Sequence, residues 1–319
     1  MDINKLLLLL SDGKYHSGSE LGELLGVSRT SIWKCLPQLH SMNVPIESLK
    51  GKGYRVPGGL DLLNKKIILE SLPESLSSGI DLEILLSCSS TNDYLSQRIV
   101  VSNAKEFQVC LAELQTSGRG RRGRAWVSPF GKNIALSLGF VIEGGVDSLS
   151  GLSIVVGLAI AKALEALGVK NVGLKWPNDI YVNNKKIAGI LVELSGEATT
   201  RWNVICGIGL NVLMSEEEGR GIDQAWTSLS QYVEVDRNEV VVQILRQLIL
   251  LVDKFKMESF EAFISEWSNW DILLDKDVKV EPGGLVGRAK GINAQGALVL
   301  DVSGQKQLIN AGEVSVRVK

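Results

Sequence analysis

The stretch Lys175-Trp176-Pro177-Asn178-Asp179-Ile180-Tyr181-Val182-Asn183-Asn184-Lys185-Lys186-Ile187-Ala188-Gly189-Ile190-Leu191 decides the fold class. Pro177-Asn178-Asp179 breaks the chain after a short strand-like run. Asn183-Asn184 then supplies two residues that tolerate positive φ, which a two-residue hairpin turn requires. Strict alternation beyond that turn puts Lys186, Ala188 and Ile190 on one face and Ile187, Gly189 and Leu191 on the other. A lysine next to alanine and glycine leaves room for a ligand. An edge lysine that discourages strand pairing has the same signature, so the hairpin alone does not choose between them.

Outward from this hairpin, strand-like and helix-like patterns alternate from about residue 80 to 272. Strands are expected at 108–113, 133–140, 172–176, 186–194 and 202–210, and helices at 91–101, 149–167 and 237–267. Upstream, residues 2–57 read as helices at 2–10, 17–25 and 29–42, followed by a hairpin wing at 44–56 around Gly51-Lys52-Gly53. Gly26-Val27-Ser28 is the short connection of a helix-turn-helix, with Ser28 capping the third helix. Pro37 lies inside that helix and is expected to kink or shorten it. Residues 60–72 read as a connecting helix. Downstream, 277–318 are short strands with turn signals at Pro282-Gly283-Gly284 and Ser303-Gly304, a small barrel-like β-domain.

The fold class is therefore α/β (α+β). Its parts are a winged helix-turn-helix at 1–57, a linker at 58–79, a mixed α/β domain at 80–272 and a β-domain at 273–319. With 45% apolar residues, a chain of this length has ample material for such cores. The leucine run at 6–10 is followed by polar Ser11-Asp12-Gly13-Lys14, and the apolar run at 154–161 ends at Lys162. Both fall short of the ~20 residues of a membrane span, so no membrane partner is expected. Four scattered cysteines form no CxxC pair, which fits a reducing cytoplasm. Both histidines, His16 and His40, lie in the first 57 residues. Chemistry in the body of the chain must therefore use lysine, arginine, carboxylates, backbone amides or an oxygen-bound metal.

Three segments carry that chemistry. Gly118-Arg119-Gly120-Arg121-Arg122-Gly123-Arg124, just before Trp126, combines a flexible backbone with guanidinium groups that match phosphate and carboxylate oxygens. The hairpin contributes Lys186 after Lys175-Trp176-Pro177-Asn178-Asp179. Ser89-Ser90-Thr91-Asn92 opens a helix with hydroxyl and amide groups that either cap it or meet a polar ligand.

Taken in order, Ser-Thr-Asn, Gln-x-x-Gly-Arg-Gly-Arg-Arg-Gly-Arg-x-Trp, Lys-Trp-Pro-Asn-Asp, Lys-x-Ala-Gly-Ile-Leu-Val-Glu and Gly-x-Gly-Leu-Asn resemble the biotin–protein ligases. The ends of the chain resemble the bifunctional ligase–repressors of bacteria. The resemblance implies a central biotin/lipoate ligase-type domain, an SH3-like C-terminal barrel, and formation of biotinyl-5′-adenylate from biotin, ATP and Mg²⁺. Transfer to a lysine of the biotin carboxyl carrier protein of acetyl-CoA carboxylase follows. It implies biotin contacts at Ser90, Thr91, Asn92, Gln115, Arg119, Gly120, Arg121 and Lys186. ATP or adenylate contacts fall at Arg121, Arg124, Trp126, Asn178, Asn211 and Arg237, with Lys186 and Arg119 catalytic. The metal ligands stay unassigned, with Asp179 a candidate by chemistry only. Operator DNA and a homodimer formed with adenylate bound complete the implied partners.

The first 57 residues carry seven Lys/Arg (5, 14, 29, 34, 50, 52, 55) against five Asp/Glu (2, 12, 20, 23, 47). That is +2 in a chain of −2, leaving −4 elsewhere. Ser28, Arg29, Thr30 and Lys34 on the third helix, with Lys52 on the wing, are the expected DNA contacts. Rival readings are a lipoate or octanoate ligase, a thiol acyltransferase using Cys206, and a ligand-sensing repressor without catalysis.

Overall fold

In the computed structural model, residues 3–98, 105–197, 201–312 and 314–319 are described. The N-terminal unit is three helices, α1 (Ile3–Leu10), α2 (Gly18–Leu25) and α3 (Arg29–Ser41), and the hairpin β1 (Glu47–Leu49) and β2 (Gly53–Arg55). Ser17 and Glu20 form a reciprocal capping box on α2, and Gly26 ends it in the left-handed region. Ser28 caps α3 through the Ser31 amide. The wing is held down because His16 and Tyr54 exchange backbone hydrogen bonds of 2.9 Å in both directions. Leu6, Leu7, Leu10, Leu21, Ile32 and Leu39 are fully buried, and Phe130 of the next domain joins their core.

α3 is not shortened at Pro37 and continues to Ser41. Pro37 is exposed, and Trp33, whose carbonyl loses its usual partner, is exposed as well. A carbonyl on an exposed stretch of helix is open to solvent, which lowers the cost of the missing bond.

The expected helix at 60–72 is shorter. Residues 60–64 are not helical, and Asn64 caps α4 (Lys65–Ser71), followed by the single turn α5 (Glu74–Ser77). This piece is tied to the catalytic domain, where the Arg237 amide donates to Asp61 and Glu113 accepts from the Leu63 amide at 2.7 Å.

The central sheet uses β3 (Ile80–Leu85), β4 (Phe107–Ala112), β5 (Asn133–Glu143), β6 (Val172–Lys175), β7 (Asp179–Val182), β8 (Lys185–Glu197) and β9 (Arg201–Asn211). Their spatial order is β3-β4-β5-β9-β8-β7-β6, with only the β3–β4 pair parallel. Asn183 and Asn184 both take positive φ, as the hairpin turn requires. One face packs on α7 (Leu152–Ala166) and α8 (Arg237–Glu258). The segment Val146–Ala166 is apolar and long enough to cross a bilayer by composition, but 61% of that window is buried inside the protein. It is the core helix.

The other face carries α6 (Thr91–Ser96), which ends earlier than the expected 91–101; residues 99–104 lie outside the described residues. The expected helix at 237–267 breaks where Ser259 takes φ 63°, and α9 (Ile264–Ser268) resumes after a tighter turn.

The C-terminal strands β10 (Asp277–Glu281), β11 (Leu285–Ile292), β12 (Leu298–Val302), β13 (Gln305–Ile309) and β14 (Ser315–Val318) form one antiparallel sheet ordered β13-β12-β11-β10-β14. A bulge between Ala289 and Ile292 adds twist to it. It docks on the hairpin through Trp176, whose indole N–H donates to the Gly296 carbonyl at 2.9 Å.

Candidate active site and DNA-binding face

The sheet register builds the floor of the site. Asp179, Gly189, Gly209, Ala135 and Ala112 line up across β7, β8, β9, β5 and β4. In the next row stand Leu191, Gly207, Ser137 and Cys110. Even-numbered residues of β5 and β9 face the helices, so this row of small residues faces α6 and the arginine loop. A methyl group on Gly207 would overlap Asn92, and one on Gly209 would overlap the Trp126 ring. Glycine here lets side chains lie directly on the backbone. Above this floor is a cavity of about 340 Å³.

Lys186 reaches the cavity by a route that strict alternation hides. Tyr181 pairs with Lys186 but Ile180 pairs with Ala188, so Ile187 is the extra residue of a β-bulge. Ile187 and Ala188 are both fully buried in the core. The bulge resets the phase and places Lys186 on the face of Gly189 rather than that of Ala188 and Ile190. Its Nζ lies 2.7 Å from Asp179 Oδ1 and 5.7 Å from the centre of the Trp126 ring.

Around this pair the field is positive. Burial lowers the Lys175 pKa; Asp179 opposes the shift, while Lys186, Arg317 and Arg124 add to it. Burial likewise lowers Arg121, again against Asp179. Cations therefore gather around Asp179, with Lys186 paired to it and Lys175 and Arg121 close enough to feel its charge, an arrangement suited to an anionic ligand. Among the described residues no group of three His, Cys, Asp or Glu is placed to hold a metal.

The remaining expected residues divide clearly. Ser90, Thr91, Asn92, Gln115, Arg119, Gly120, Arg121, Arg124, Trp126, Asn178 and Asn211 all line the cavity with Lys186. Ser90 also caps α6. Gln115 Oε1 accepts from the Thr91 amide at 2.9 Å. The Ser137 hydroxyl lies 2.7 Å from Thr91 Oγ1 and 2.6 Å from Asn92 Oδ1. Arg121 donates to Asn178 at 3.1 Å and to the carbonyls of Ala311 and Gly312, which brings the C-terminal domain to the rim. Arg237 is not brought to the cavity. Fully buried, it donates to Glu113, to the Asp61 carbonyl and to the Asn133 carbonyl.

Two carboxylates were missed. Arg119 donates to Asp93 at 2.7 Å and to Glu193 at 3.0 Å, and these bonds hold its pKa above the ordinary value and that of Asp93 below it. Glu193 also accepts from Asn92 at 2.7 Å, so it joins the helix to the loop. Glu193 closes the Lys-x-Ala-Gly-Ile-Leu-Val-Glu run and keeps the post-bulge phase of Gly189 and Leu191, which is the signal that would have found it. Residues 221–224 and Trp226 also line the cavity; their segment has no periodicity to mark it.

Cys206 is fully buried on the helix side of β9, and burial raises its pKa. It is not a nucleophile for this cavity.

On the N-terminal unit, Arg29, Thr30 and Lys34 are exposed on α3 and Lys52 is exposed at the wing. Ser28 is also exposed, its hydroxyl engaged in the cap. Arg55 is committed elsewhere, paired with Glu47 at 2.7 Å and stacked 4.5 Å from the centre of the Tyr15 ring.

A helix-turn-helix joined to a glycine-floored, cation-lined cavity defines a ligand-activating enzyme with a DNA-binding arm. Residues 85–211 match the biotin/lipoate A/B protein ligase family, residues 3–55 an HTH domain, and residues 274–317 the biotin protein ligase C terminal domain. The bifunctional ligase/repressor BirA of Escherichia coli K12 is 38% identical over 98% of this chain and 96% of its own. That of Bacillus subtilis is 28% identical, covering 93% of each. The biotin protein ligase of Aquifex aeolicus, solved with biotin and ATP, superposes with a TM-score of 0.63 at 30% identity, covering 75% of this chain and 99% of that one. The chain belongs to the family of bifunctional biotin–protein ligase/repressors.

Proposed function

We propose that this chain joins biotin to ATP as biotinyl-5′-adenylate and passes the biotin to a lysine of the biotin carboxyl carrier protein of acetyl-CoA carboxylase. In the same reading it works in the cytoplasm and represses biotin genes as an adenylate-bound homodimer on operator DNA. The observation that carries the ligase reading is the Lys186–Asp179 pair, set among Lys175, Arg121 and Arg124 over a glycine floor.

In the first step the biotin carboxylate attacks the α-phosphorus of MgATP, the bond to pyrophosphate breaks, and an acyl–phosphate anhydride forms. The two reactants are both anionic, and charge builds on the phosphoryl oxygens. Lys186 and the two arginines stabilise that charge in a site sheltered from water. Magnesium enters as part of the nucleotide substrate. Arg119 is already held by Asp93 and Glu193, so its work is to fix the loop, while the loop backbone approaches the ligand.

In the second step the carrier's neutral ε-amine attacks the acyl carbonyl and AMP leaves. The loop covering the anhydride excludes water, the competing nucleophile.

Biotin-dependent exchange of labelled pyrophosphate into ATP tests the first step. Exchange with biotin but not with lipoate or octanoate is expected. Exchange driven by lipoate would reassign the acyl substrate, and none with any acid would leave a sensor without catalysis. Sedimentation equilibrium tests the repressor form, with tighter self-association expected when biotin and ATP are both present.

A further inference from the structure

Trp33 lies on α3 at 63% exposure. Single exposed apolar residues are ordinary on protein surfaces, so its position has to make the case. Ile32, Leu36 and Leu39 form the buried stripe of α3. Helical spacing places Trp33, Pro37 and Thr30 on a neighbouring stripe, roughly 90–150° around the axis from the buried one, with Arg29 and Lys34 on its two flanks. All five are exposed. Among the described residues, none hydrogen-bonds to the indole or stacks on it. Arg29, Lys34 and Lys50 form no ion pair among those residues, and Lys52 makes only a long approach, 5.8 Å, to the Tyr15 ring.

An indole flanked by unpaired cations on the outer face of the second helix of a helix-turn-helix fits a duplex. The cations meet phosphates on either side, and the central side chains meet base edges in the major groove. There the apolar feature offered by the bases is the thymine 5-methyl group. We propose that Trp33 is a specificity-determining residue of the operator contact, packing its ring against thymine methyl groups. The proposal rests on the repressor reading above and sharpens it, because it names which side chain reads which atom.

The test uses the full-length protein with biotin, ATP and magnesium, and a duplex enriched from a random pool by the unaltered chain. Thymines of each half-site are replaced singly by uracil, which removes only the methyl group. At one or more positions the unaltered protein should lose affinity about fivefold or more. Trp33→Ala should bind the parent duplex about tenfold or more weakly and be indifferent to those same replacements. Its salt dependence should be unchanged, because the phosphate contacts remain. Its pyrophosphate exchange should also be unchanged, since Trp33 lies outside the catalytic domain.

Retained sensitivity to uracil in Trp33→Ala overturns the proposal, and so does indifference in the unaltered protein. If Trp33→Ala weakens self-association in the absence of DNA, the face is a protein contact and the proposal falls. A pool that never enriches rejects the repressor reading itself, and Trp33's role with it.

Discussion

Two ion pairs in this molecule have the same length and opposite meanings. Lys186–Asp179 and Arg237–Glu113 both close at 2.7 Å. The side chains of the second pair are 0% and 2% exposed, and those of the first 11% and 20%. Arg237 lies where the linker, α8 and the sheet meet, with protein acceptors at Glu113, Asp61 and Asn133. Lys186 has one carboxylate, an aromatic face and an open cavity. Arg237 spends both terminal nitrogens on protein acceptors, with its buried Nε left without a partner among the described residues, and a cation so enclosed holds a structure together. One beside a void of ligand size is ready for charge that arrives later.

The largest effect should come from breaking the joint. Arg237→Met leaves Glu113 buried without its partner, a loss of about 3–5 kcal/mol. Denaturant unfolding should show it directly. If the variant is as stable as the parent and instead loses ATP affinity, Arg237 belongs with the ligand residues and the contrast collapses.

The matching break in the cavity is Lys186→Ala, for which stability should stay nearly constant. Single-turnover adenylate formation should slow about 10²–10³-fold, as when one preorganised donor is lost. A rate within a few-fold of the parent would remove Lys186 from the chemistry.

This contrast also marks the limit of what the sequence reveals. Lys186 is visible from its hairpin, but its facing is not, because a bulge at Ile187 depends on pairing that no local pattern encodes. Arg237 stands beside a good helix cap, Asp236. Whether it turns to the cavity or to Glu113 depends on a contact 124 positions away. The helix-turn-helix, by contrast, was legible almost to the residue, since capping residues and left-handed glycines act within a few positions. The persistence of α3 through Pro37 was the exception, because exposure rather than sequence determines the cost.

A smaller effect separates two glycines of the floor. A methyl group on Gly209 would overlap Trp126, whereas one on Gly189 would sit 3.3 Å from the same ring. Gly209→Ala should therefore displace Trp126 and raise the KM for ATP several-fold, with overpacking of about 1–3 kcal/mol as the upper range. Gly189→Ala should raise it less. Equal effects would mean that Trp126 moves freely and the floor is less exacting than the buried joint.

The smallest effect concerns a third charged cluster, more exposed than either pair. His16 Nδ1 lies 3.0 Å from Glu20 and Nε2 3.0 Å from Asp12. Burial pulls the His16 pKa down, but hydrogen bonds to the two carboxylates outweigh it and the net shift is upward. Asp12 is lowered by the Lys14 amide and by His16, and Glu20 by His16 and the Ser17 amide. A raised histidine stabilises the fold fully below its unfolded value of about 6.5, and that contribution is lost as pH rises through the folded value. The lowered carboxylates stabilise above their unfolded values near 4 and lose this only at lower pH. The cluster is therefore most effective between those limits and weakens as pH rises through the folded value of His16. Because His16 also clamps Tyr54, the wing should loosen with it. Hydrogen exchange at the His16 and Tyr54 amides, corrected for the intrinsic pH dependence, should show less protection at pH 8 than at pH 6. The His16→Gln variant should lose that difference, while the catalytic domain's amides keep theirs. A pH response that persists in His16→Gln would place the sensitivity elsewhere and leave this cluster as surface charge without consequence.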